Sequence, residues 1–168
     1  MSRVHTVLIA LSMGLAVASC GKKKVETLPP APGADASTGQ STSNQPIPGS
    51  HADFLAKMGG QDIIYFDTDR YNIDDIDAAA LRSQANWLRQ YPNKMARIEG
   101  HADERGTREY NLALGERRAN AARNYLISIG IDGSRLAVVS YGKERPVALG
   151  SNEEAWQKNR RAATITID

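Results

Sequence analysis

The chain has one cysteine, Cys20, in 168 residues, so no disulfide can form within it. Its longest apolar run, Val7–Val17, is interrupted by Ser12 and Gly14 and falls well short of the roughly 20 apolar residues that span a bilayer. These two absences exclude a disulfide scaffold, and they exclude Val7–Val17 as a permanent transmembrane helix.

The chain also lacks an excess of either charge. Its 21 basic and 19 acidic residues give a net charge of +2, and removal of the first 19 residues, which contain only Arg3, leaves a net charge of +1. A nucleic-acid-binding protein needs a basic surface to neutralise phosphates, and Arg160-Arg161 is only a pair. We therefore expect no nucleic-acid partner.

Recognisable catalytic motifs are missing as well. No nucleophile stands beside a base in the sequence, and there is no glycine-rich phosphate loop. His101 and Asp103, with Glu104 next to them, leave open a metal or general-base site and hence a hydrolase. The other interpretation is that His101 is a hydrogen-bonding residue at the end of a strand. We expect no enzyme, no cofactor and no metal site.

The N-terminus has the features of a secretory signal peptide, with a short polar start and an apolar core, over residues 1–19. Its end, Val17-Ala18-Ser19-Cys20, resembles a bacterial lipobox, in which the cysteine is acylated, palmitate included, after cleavage. The alternative is a plain signal peptide with an incidental cysteine. Multiple acylation would anchor the chain firmly, and Gly21 after the cysteine favours, by analogy with bacterial sorting, the outer membrane.

Residues 20–49 are predicted to be a lipidated N-terminus followed by a disordered linker. Residues 21–49 hold five of the seven prolines and almost no large apolar side chains. Such a stretch spans about 30 Å as a coil and at most about 100 Å when extended. Residues 50–168 have the composition of one globular domain.

Hydrophobic periodicity predicts the order β-α-β-α-β-β for this domain, after a short initial helix. The fold class is therefore α/β (α+β), a mixed sheet with two main helices on one face. The predicted elements are helix 51–58, strand 63–66, a helix capped by Asp74 or Asp75 and stopped by Pro92, strand 97–102, a helix from Thr107 to about Ile129, strand 136–141, a short helix 153–158 and strand 163–167.

The second main helix has an apolar stripe of mostly small residues, which permits close packing on a sheet. The stripe consists of Leu112, Gly115, Ala119, Ala122, Leu126 and Ile129. Asn111, Leu114 and Arg118 line one edge of this helix, and Asp103 lies in the loop that leads into it. A carboxylate and a guanidinium beside a helix N-terminus would suit a zwitterion, with Asp103 holding an ammonium and Arg118 a carboxylate. Alternatively, Asp103 is a turn residue and Arg117 and Arg118 are solvated helix charges.

The run Gly100-His101-Ala102-Asp103, followed by Asn111-x-x-Leu114-Gly115-x-x-Arg118-Ala119, resembles the pattern of OmpA-like peptidoglycan-binding domains. The resemblance covers about residues 63–167 and includes IYFDTDRYNI (64–73), VSYGKERP (139–146) and NRRA (159–162). Arg108 and Arg145 stand where lipid-anchored members often have proline and lysine.

This resemblance implies an OmpA-like sandwich that binds the peptidoglycan stem peptide non-covalently through meso-diaminopimelate. It implies that Asp103 and Arg118 are the principal contacts, that Asn111 and Leu114 shape the helix wall, and that Asp69 with Thr68 contributes from the first loop. Asn111 could equally orient the loop, and Leu114 could equally be a core residue.

Lipid-anchored members of the family also bind TolB, so the resemblance implies TolB and other Tol-system proteins as partners besides peptidoglycan. The expected location is the outer membrane, through the lipid anchor, with the domain in the periplasm. The expected role is support of envelope integrity and of constriction at cell division. A protein-only envelope adaptor is the main alternative, and a peptidoglycan hydrolase that uses His101 and Asp103 is the other.

Overall fold

The computed structural model describes residues 45–168. The predicted signal peptide, the lipidation residue Cys20 and the predicted linker as far as residue 44 lie outside the described residues. At the end of the predicted linker, Gly49 is buried and its N–H donates to the Asp53 carboxylate at 3.1 Å.

The domain contains four α-helices, a 3-10 turn and four strands within residues 45–168. They are α1 (His51–Met58), β1 (Ile63–Tyr65), α2 (Asp75–Gln90), β2 (Met95–His101), α3 (Arg108–Ser128), the 3-10 turn Gly133–Arg135, β3 (Leu136–Gly142), α4 (Glu153–Asn159) and β4 (Arg161–Ile167). The sheet order is β1-β4-β2-β3, with β4 antiparallel to both neighbours and β2 parallel to β3. The predicted fold class, a mixed sheet covered by two main helices, is confirmed.

Strand boundaries differ from the predicted ones where cross-strand pairing decides them. β4 begins two residues before the predicted Ala163, since Arg161 pairs with Tyr65 of β1. β2 begins at Met95 rather than Arg97, because Met95 pairs with Ile167 at the far end of β4. Pairing partners of this kind are distant in sequence, so the local hydrophobic periodicity does not predict where these strands begin.

Both main helices start at side chains that cap them. Asp74 forms a capping box with Asp77, whose backbone N–H it accepts at 2.8 Å, and Thr107 accepts from the N–H of Tyr110 at 3.2 Å. Such caps satisfy N–H groups that have no partner inside the helix. The cap at Thr107 fixes the point at which the 102–107 loop becomes α3.

Helix α3 packs directly on β2 at a point where the helix and the strand each have a glycine. A Cβ added at Gly100 would lie 1.8 Å from the Gly115 carbonyl oxygen, and one added at Gly115 would lie 2.8 Å from the Gly100 oxygen. The buried face of α3 also includes Asn111, Leu114 and Arg118, while Leu112 is only half-buried. The observed buried face of α3 is therefore rotated from the predicted apolar stripe toward the edge of the helix that the 67–70 loop covers.

The core lies between the sheet and helices α1 to α3. It contains the predicted inner face of α2, namely Ala78, Leu81, Ala85 and Leu88, together with Ala96 and Ile98 of β2. Phe54 of α1 packs edge-on against Trp87 of α2, with ring centroids 5.1 Å apart. The carboxyl end of β2 and the start of α3 lie at one edge of the domain, outside this core. The 67–70 loop and the 102–107 loop meet at this edge.

Candidate functional site

A cavity of about 240 Å³ lies where the chain leaves β2 and enters α3. Its walls come from the 67–70 loop, the 102–107 loop and the first turns of α3. The lining residues are Thr68, Asp69, Asp103, Arg105, Gly106, Tyr110, Asn111, Leu114 and Arg118. The structure thus brings together all six side chains that the sequence singled out for peptidoglycan. Their contact with a ligand stays a prediction.

Asp103 is buried on one side of the cavity and accepts four hydrogen bonds. Its Oδ1 accepts from the backbone N–H of Arg105 at 3.1 Å and from Arg105 Nε at 3.0 Å. Its Oδ2 accepts from Arg105 Nη2 at 2.7 Å and from Arg160 Nη1 at 3.5 Å. An ionised carboxylate offers about four lone-pair positions, so this one is fully engaged.

These donors decide the charge of Asp103. Burial alone would raise the pKa of the carboxyl group, but the hydrogen bonds and charge of Arg105, with the hydrogen bond from Arg160, outweigh it and hold the pKa below its ordinary value. Asp103 is therefore a carboxylate at neutral pH, and the cavity contains a fixed negative charge.

Arg118 is fully buried, and its guanidinium joins three backbone segments. Nε donates to the Arg70 carbonyl at 2.9 Å, Nη1 to the His101 carbonyl at 2.8 Å and Nη2 to the Asp67 carbonyl at 3.0 Å. Three of its five N–H groups are thus used in holding the 67–70 loop against the end of β2. The interpretation of Arg118 as a solvated helix charge is wrong, whereas Arg117 beside it is exposed.

The buried guanidinium of Arg118 keeps its charge. Burial lowers the pKa of Arg118 to about 10, which is still well above neutral. The guanidinium carbon also lies 5.3 Å from the centre of the Phe66 ring, a cation–π arrangement. The cavity lining therefore contains a permanent positive charge as well as the carboxylate of Asp103.

The 67–70 loop presents Thr68 and Asp69 to the cavity. Asp69 has a φ of 55° and is the one non-glycine residue in residues 45–168 with a positive φ. Asp tolerates this left-handed conformation better than most residues. Its carboxylate accepts from the Tyr110 hydroxyl at 3.2 Å, and Thr68 Oγ1 accepts from Arg105 Nη2 at 3.2 Å. These bonds connect the first loop to both other walls.

Asn111 and Leu114 complete the helix wall. The Asn111 side-chain amide donates to the Arg105 carbonyl at 2.7 Å, so Asn111 does orient the 102–107 loop. Leu114 is buried and lines the cavity at the same time.

Comparison with known proteins gives the family. The OmpA family model matches residues 65–160. A peptidoglycan-associated lipoprotein of Rhizobium meliloti is 51% identical over 162 residues, which cover 96% of this chain and 87% of the relative. The chain belongs to the OmpA family, among the peptidoglycan-associated lipoproteins.

Two further relatives support the assignment of this chain to the OmpA family. A peptidoglycan-associated lipoprotein of Mesorhizobium japonicum is 49% identical over 95% of this chain and 90% of the relative. The crystal structure of the peptidoglycan-associated lipoprotein from Burkholderia pseudomallei is similar at a TM-score of 0.61 and 45% identity, covering 62% of this chain and 89% of that one.

Sequence reasoning missed three residues of this OmpA-type site. Arg105 and Tyr110 line the cavity, and Arg160, from the end of α4, contacts Asp103. Arg105 also lies over the Trp156 ring of α4, 4.2 Å from its centre. A signal for Arg105 was available, since it lies two residues after Asp103 in the same loop. Arg160 could not be placed without the antiparallel pairing of β4.

The His101 side chain does not line the cavity of this OmpA-family domain. Its side chain is buried on the other face of the sheet and stacks on Tyr141, with ring centroids 5.5 Å apart. Its Nδ1 has no hydrogen-bond partner among residues 45–168, and its Nε2 is 3.9 Å from Glu99 Oε2, too far for a hydrogen bond. The expectation that its side chain forms hydrogen bonds at the strand end is therefore not met. Among the described residues, no three His, Cys, Asp or Glu side chains cluster closely enough to hold a metal ion.

Between residues 45 and 168, no helix of this OmpA-family chain combines the length and the apolar character that crossing a membrane requires.

Proposed function

We propose that this protein attaches the outer membrane to the cell wall by binding peptidoglycan non-covalently. The observation that carries the proposal is the small cavity whose lining includes both the carboxylate of Asp103 and the guanidinium of Arg118. Relatives about half identical over nearly the whole chain are named as peptidoglycan-associated lipoproteins. These two lines of support are independent, because the first is geometry and the second is sequence identity.

The ligand that fits this charge arrangement is the side chain of meso-diaminopimelate in the stem peptide. That side chain ends in an ammonium and a carboxylate. Asp103 is the acceptor for the ammonium, and the two N–H groups that Arg118 does not use for backbone carbonyls are the donors for the carboxylate. Thr68, Asp69, Asn111 and Leu114 complete the walls.

Arg105 must move when the ammonium binds. All four acceptor positions of Asp103 are taken, and of the two arginines that occupy them only Arg105 is substantially exposed, with 40% of its side chain accessible against 3% for Arg160. The incoming ammonium therefore replaces the Arg105 guanidinium. Displaced from Asp103, this guanidinium stays at the rim of the cavity as a second cation for the ligand carboxylate.

Attachment to the membrane is assigned to the lipid on Cys20. Several acyl chains give stable anchoring, and a coil over the predicted linker, residues 20–49, would give the domain a reach of about 30 Å. In this arrangement the domain faces the periplasm and meets both peptidoglycan and TolB with other Tol-system proteins, which would connect the wall to envelope constriction at division. Replacing Cys20 with Ala should abolish labelling by radioactive palmitate and release the protein from membranes; continued labelling would exclude this anchor.

Sedimentation with purified sacculi tests the binding itself. Wild-type protein should leave the supernatant with the sacculi, and the Asp103→Ala variant should remain in solution with an unchanged circular dichroism spectrum. Equal sedimentation of both would reject the site.

The proposal is one of binding without catalysis. Sacculi labelled covalently with a dye separate the two activities, because binding depletes the protein whereas hydrolysis releases dye. Depletion without released dye is expected, and dye released in proportion to the protein added would show that the chain is a hydrolase.

A further inference from the structure

A second groove, of about 710 Å³, runs along α3 beside the cavity. Its walls include Tyr71 and Asn72 from the loop after β1, and Arg117, Asn120 and Asn124 from α3. Tyr71 is 49% exposed, and the three α3 residues lie one turn apart along the helix at spacings of three and four. The groove thus has an amphipathic aromatic side chain on one wall and a row of polar side chains on the other, and the exposed carboxylate of Glu116 lies in the same wall as this row.

The groove and the cavity adjoin along α3 and along the loop after β1, although none of residues 45–168 lines both. Leu114 and Arg118 line the cavity, and the residues directly before them in the helix, Ala113 and Arg117, line the groove. On the opposite wall, Asp69 belongs to the cavity and Tyr71 to the groove. Burial and Asp69 raise the pKa of Tyr110 and the charge of Arg117 opposes this rise, so the Arg117 guanidinium lies within electrostatic reach of the cavity rim. A ligand held in the cavity can therefore continue into the groove.

The polar groups of the groove have unused bonding capacity. Arg117 is exposed, and no carboxylate of residues 45–168 lies within 4.0 Å of it. Asn120 donates through Nδ2 to the Glu116 carbonyl at 3.0 Å, which leaves its side-chain oxygen as an acceptor. The Asn124 side chain makes no hydrogen bond within the described part of the chain. A guanidinium next to two amides is suited to a carboxylate that is attached to a peptide group.

We propose that this groove binds the stem-peptide residue that precedes meso-diaminopimelate, D-isoglutamate, with Arg117 pairing with its free α-carboxylate and Asn120 and Asn124 bonding the adjoining amides. The proposal rests on the proposed function, because it extends the ligand already placed in the cavity. D-isoglutamate is linked through its side-chain carboxyl group, so its α-carboxylate is free to be recognised.

The distances allow one ligand to span both sites. About ten bonds separate the far end of the diaminopimelate side chain from the isoglutamate carboxylate, a reach of roughly 11 Å when extended, at the rise per bond of an extended chain. Along α3, Arg118, which holds the diaminopimelate carboxylate, is one residue from Arg117, two from Asn120 and six from Asn124, or about 1.5, 3 and 9 Å at 1.5 Å per residue. The groove residues therefore lie within reach of the isoglutamate carboxylate.

The test compares three ligands by calorimetry with the purified protein in detergent. They are free meso-diaminopimelate, the tripeptide L-alanyl-D-isoglutamyl-meso-diaminopimelate, and the same tripeptide with D-isoglutamine, in which the carboxylate is an amide. The variant is Arg117→Gln. The control is Lys57→Gln, which removes one positive charge from an exposed position of α1, away from both sites. Thermal unfolding verifies that each variant folds.

Wild-type protein and the Lys57→Gln control should bind the isoglutamate tripeptide about fivefold tighter than the isoglutamine one, a ratio at the upper end of the range for exposed ion pairs. The Arg117→Gln variant should bind the two tripeptides equally and free meso-diaminopimelate as well as wild type does. Wild-type protein that binds both tripeptides equally, or an Arg117→Gln variant that keeps the fivefold ratio, overturns the groove assignment and leaves the cavity intact. Failure of wild type to bind any of the three ligands overturns the proposed function, and the groove assignment with it.

Discussion

Gly115 of α3 lies so close to Gly100 of β2 that a single methyl group between them would overlap a backbone atom. The separation of 1.8 Å between a Cβ at Gly100 and the Gly115 carbonyl oxygen is far below any van der Waals contact. This contact sets the first half of α3 against the end of β2. The helix wall of the cavity and the Asp103 loop that follows β2 therefore take their positions from two residues that have no side chains.

Gly100→Ala should consequently destabilise the domain by about 3 kcal/mol or more, as overpacking against backbone does. The measurement is urea unfolding followed by circular dichroism. Gly133→Ala is the matched control, because its new Cβ would meet only the far ends of the flexible Ile127 and Arg123 side chains, at 3.0 and 3.2 Å. A Gly100→Ala variant as stable as this control would show that the two elements do not pack as described.

Arg118→Ala should lose both stability and ligand binding. The change leaves the carbonyls of Asp67, Arg70 and His101 without their donor, and each unsatisfied buried group costs about 1 kcal/mol or more, so about 3 kcal/mol is expected. The control is Arg117→Ala at the exposed residue directly before Arg118, and it should change the free energy of unfolding by less than about 0.5 kcal/mol. Equal stabilities of the two variants in the same urea titration would contradict the bridging role of Arg118.

Asp103→Asn should weaken binding of a meso-diaminopimelate peptide about 30-fold to 150-fold, the size of a lost charge-assisted hydrogen bond of about 2 to 3 kcal/mol. The fold should survive, because Arg160 keeps its ion pair with Glu153 at 2.5 Å. Glu104→Gln, which removes the same charge one position later from an exposed residue, should bind like wild type. If the two variants lose affinity equally, net charge rather than the Asp103 contact drives binding.

His101 should make stability depend on pH. Burial, with the charges of Arg161 and Arg145, lowers the pKa of His101 to about 3 from 6.5, and Glu99 and Tyr141 also face its ring. Between these pH values the unfolded chain binds a proton that the folded chain does not, so stability falls as pH falls from 6.5 toward 3, by about 1.4 kcal/mol per pH unit from this residue. The variant His101→Phe should lose this part of the slope in urea titrations at pH 7, 5.5 and 4.5. Parallel pH profiles for wild type and variant would exclude His101 as the cause.

The order of elements and the α3 residues Asn111, Leu114 and Arg118 could be predicted because local features encode them, whereas Thr68 and Asp69 are implied only by the family resemblance. Thr107 caps α3 as its sequence indicates, and helical spacing alone places Asn111, Leu114 and Arg118 on one side. The bonding within the site could not be predicted in the same way. Arg118 joins backbone groups 17 to 51 residues away in sequence, and Arg160 meets Asp103 across 57 residues. Contacts of this kind depend on the sheet order β1-β4-β2-β3, which periodicity does not specify.

The most direct test of the central claim is calorimetric titration of the purified protein with two stem peptides, one containing meso-diaminopimelate and the other lysine at the same position. The two peptides share the ammonium that Asp103 accepts, and only the first has the side-chain carboxylate for the guanidinium groups of the cavity. We expect the meso-diaminopimelate peptide to bind at least about tenfold tighter, as a charge-assisted pair worth about 1.4 kcal/mol or more would give. Equal affinity for both peptides, or binding of neither, would contradict recognition of a zwitterion by this cavity.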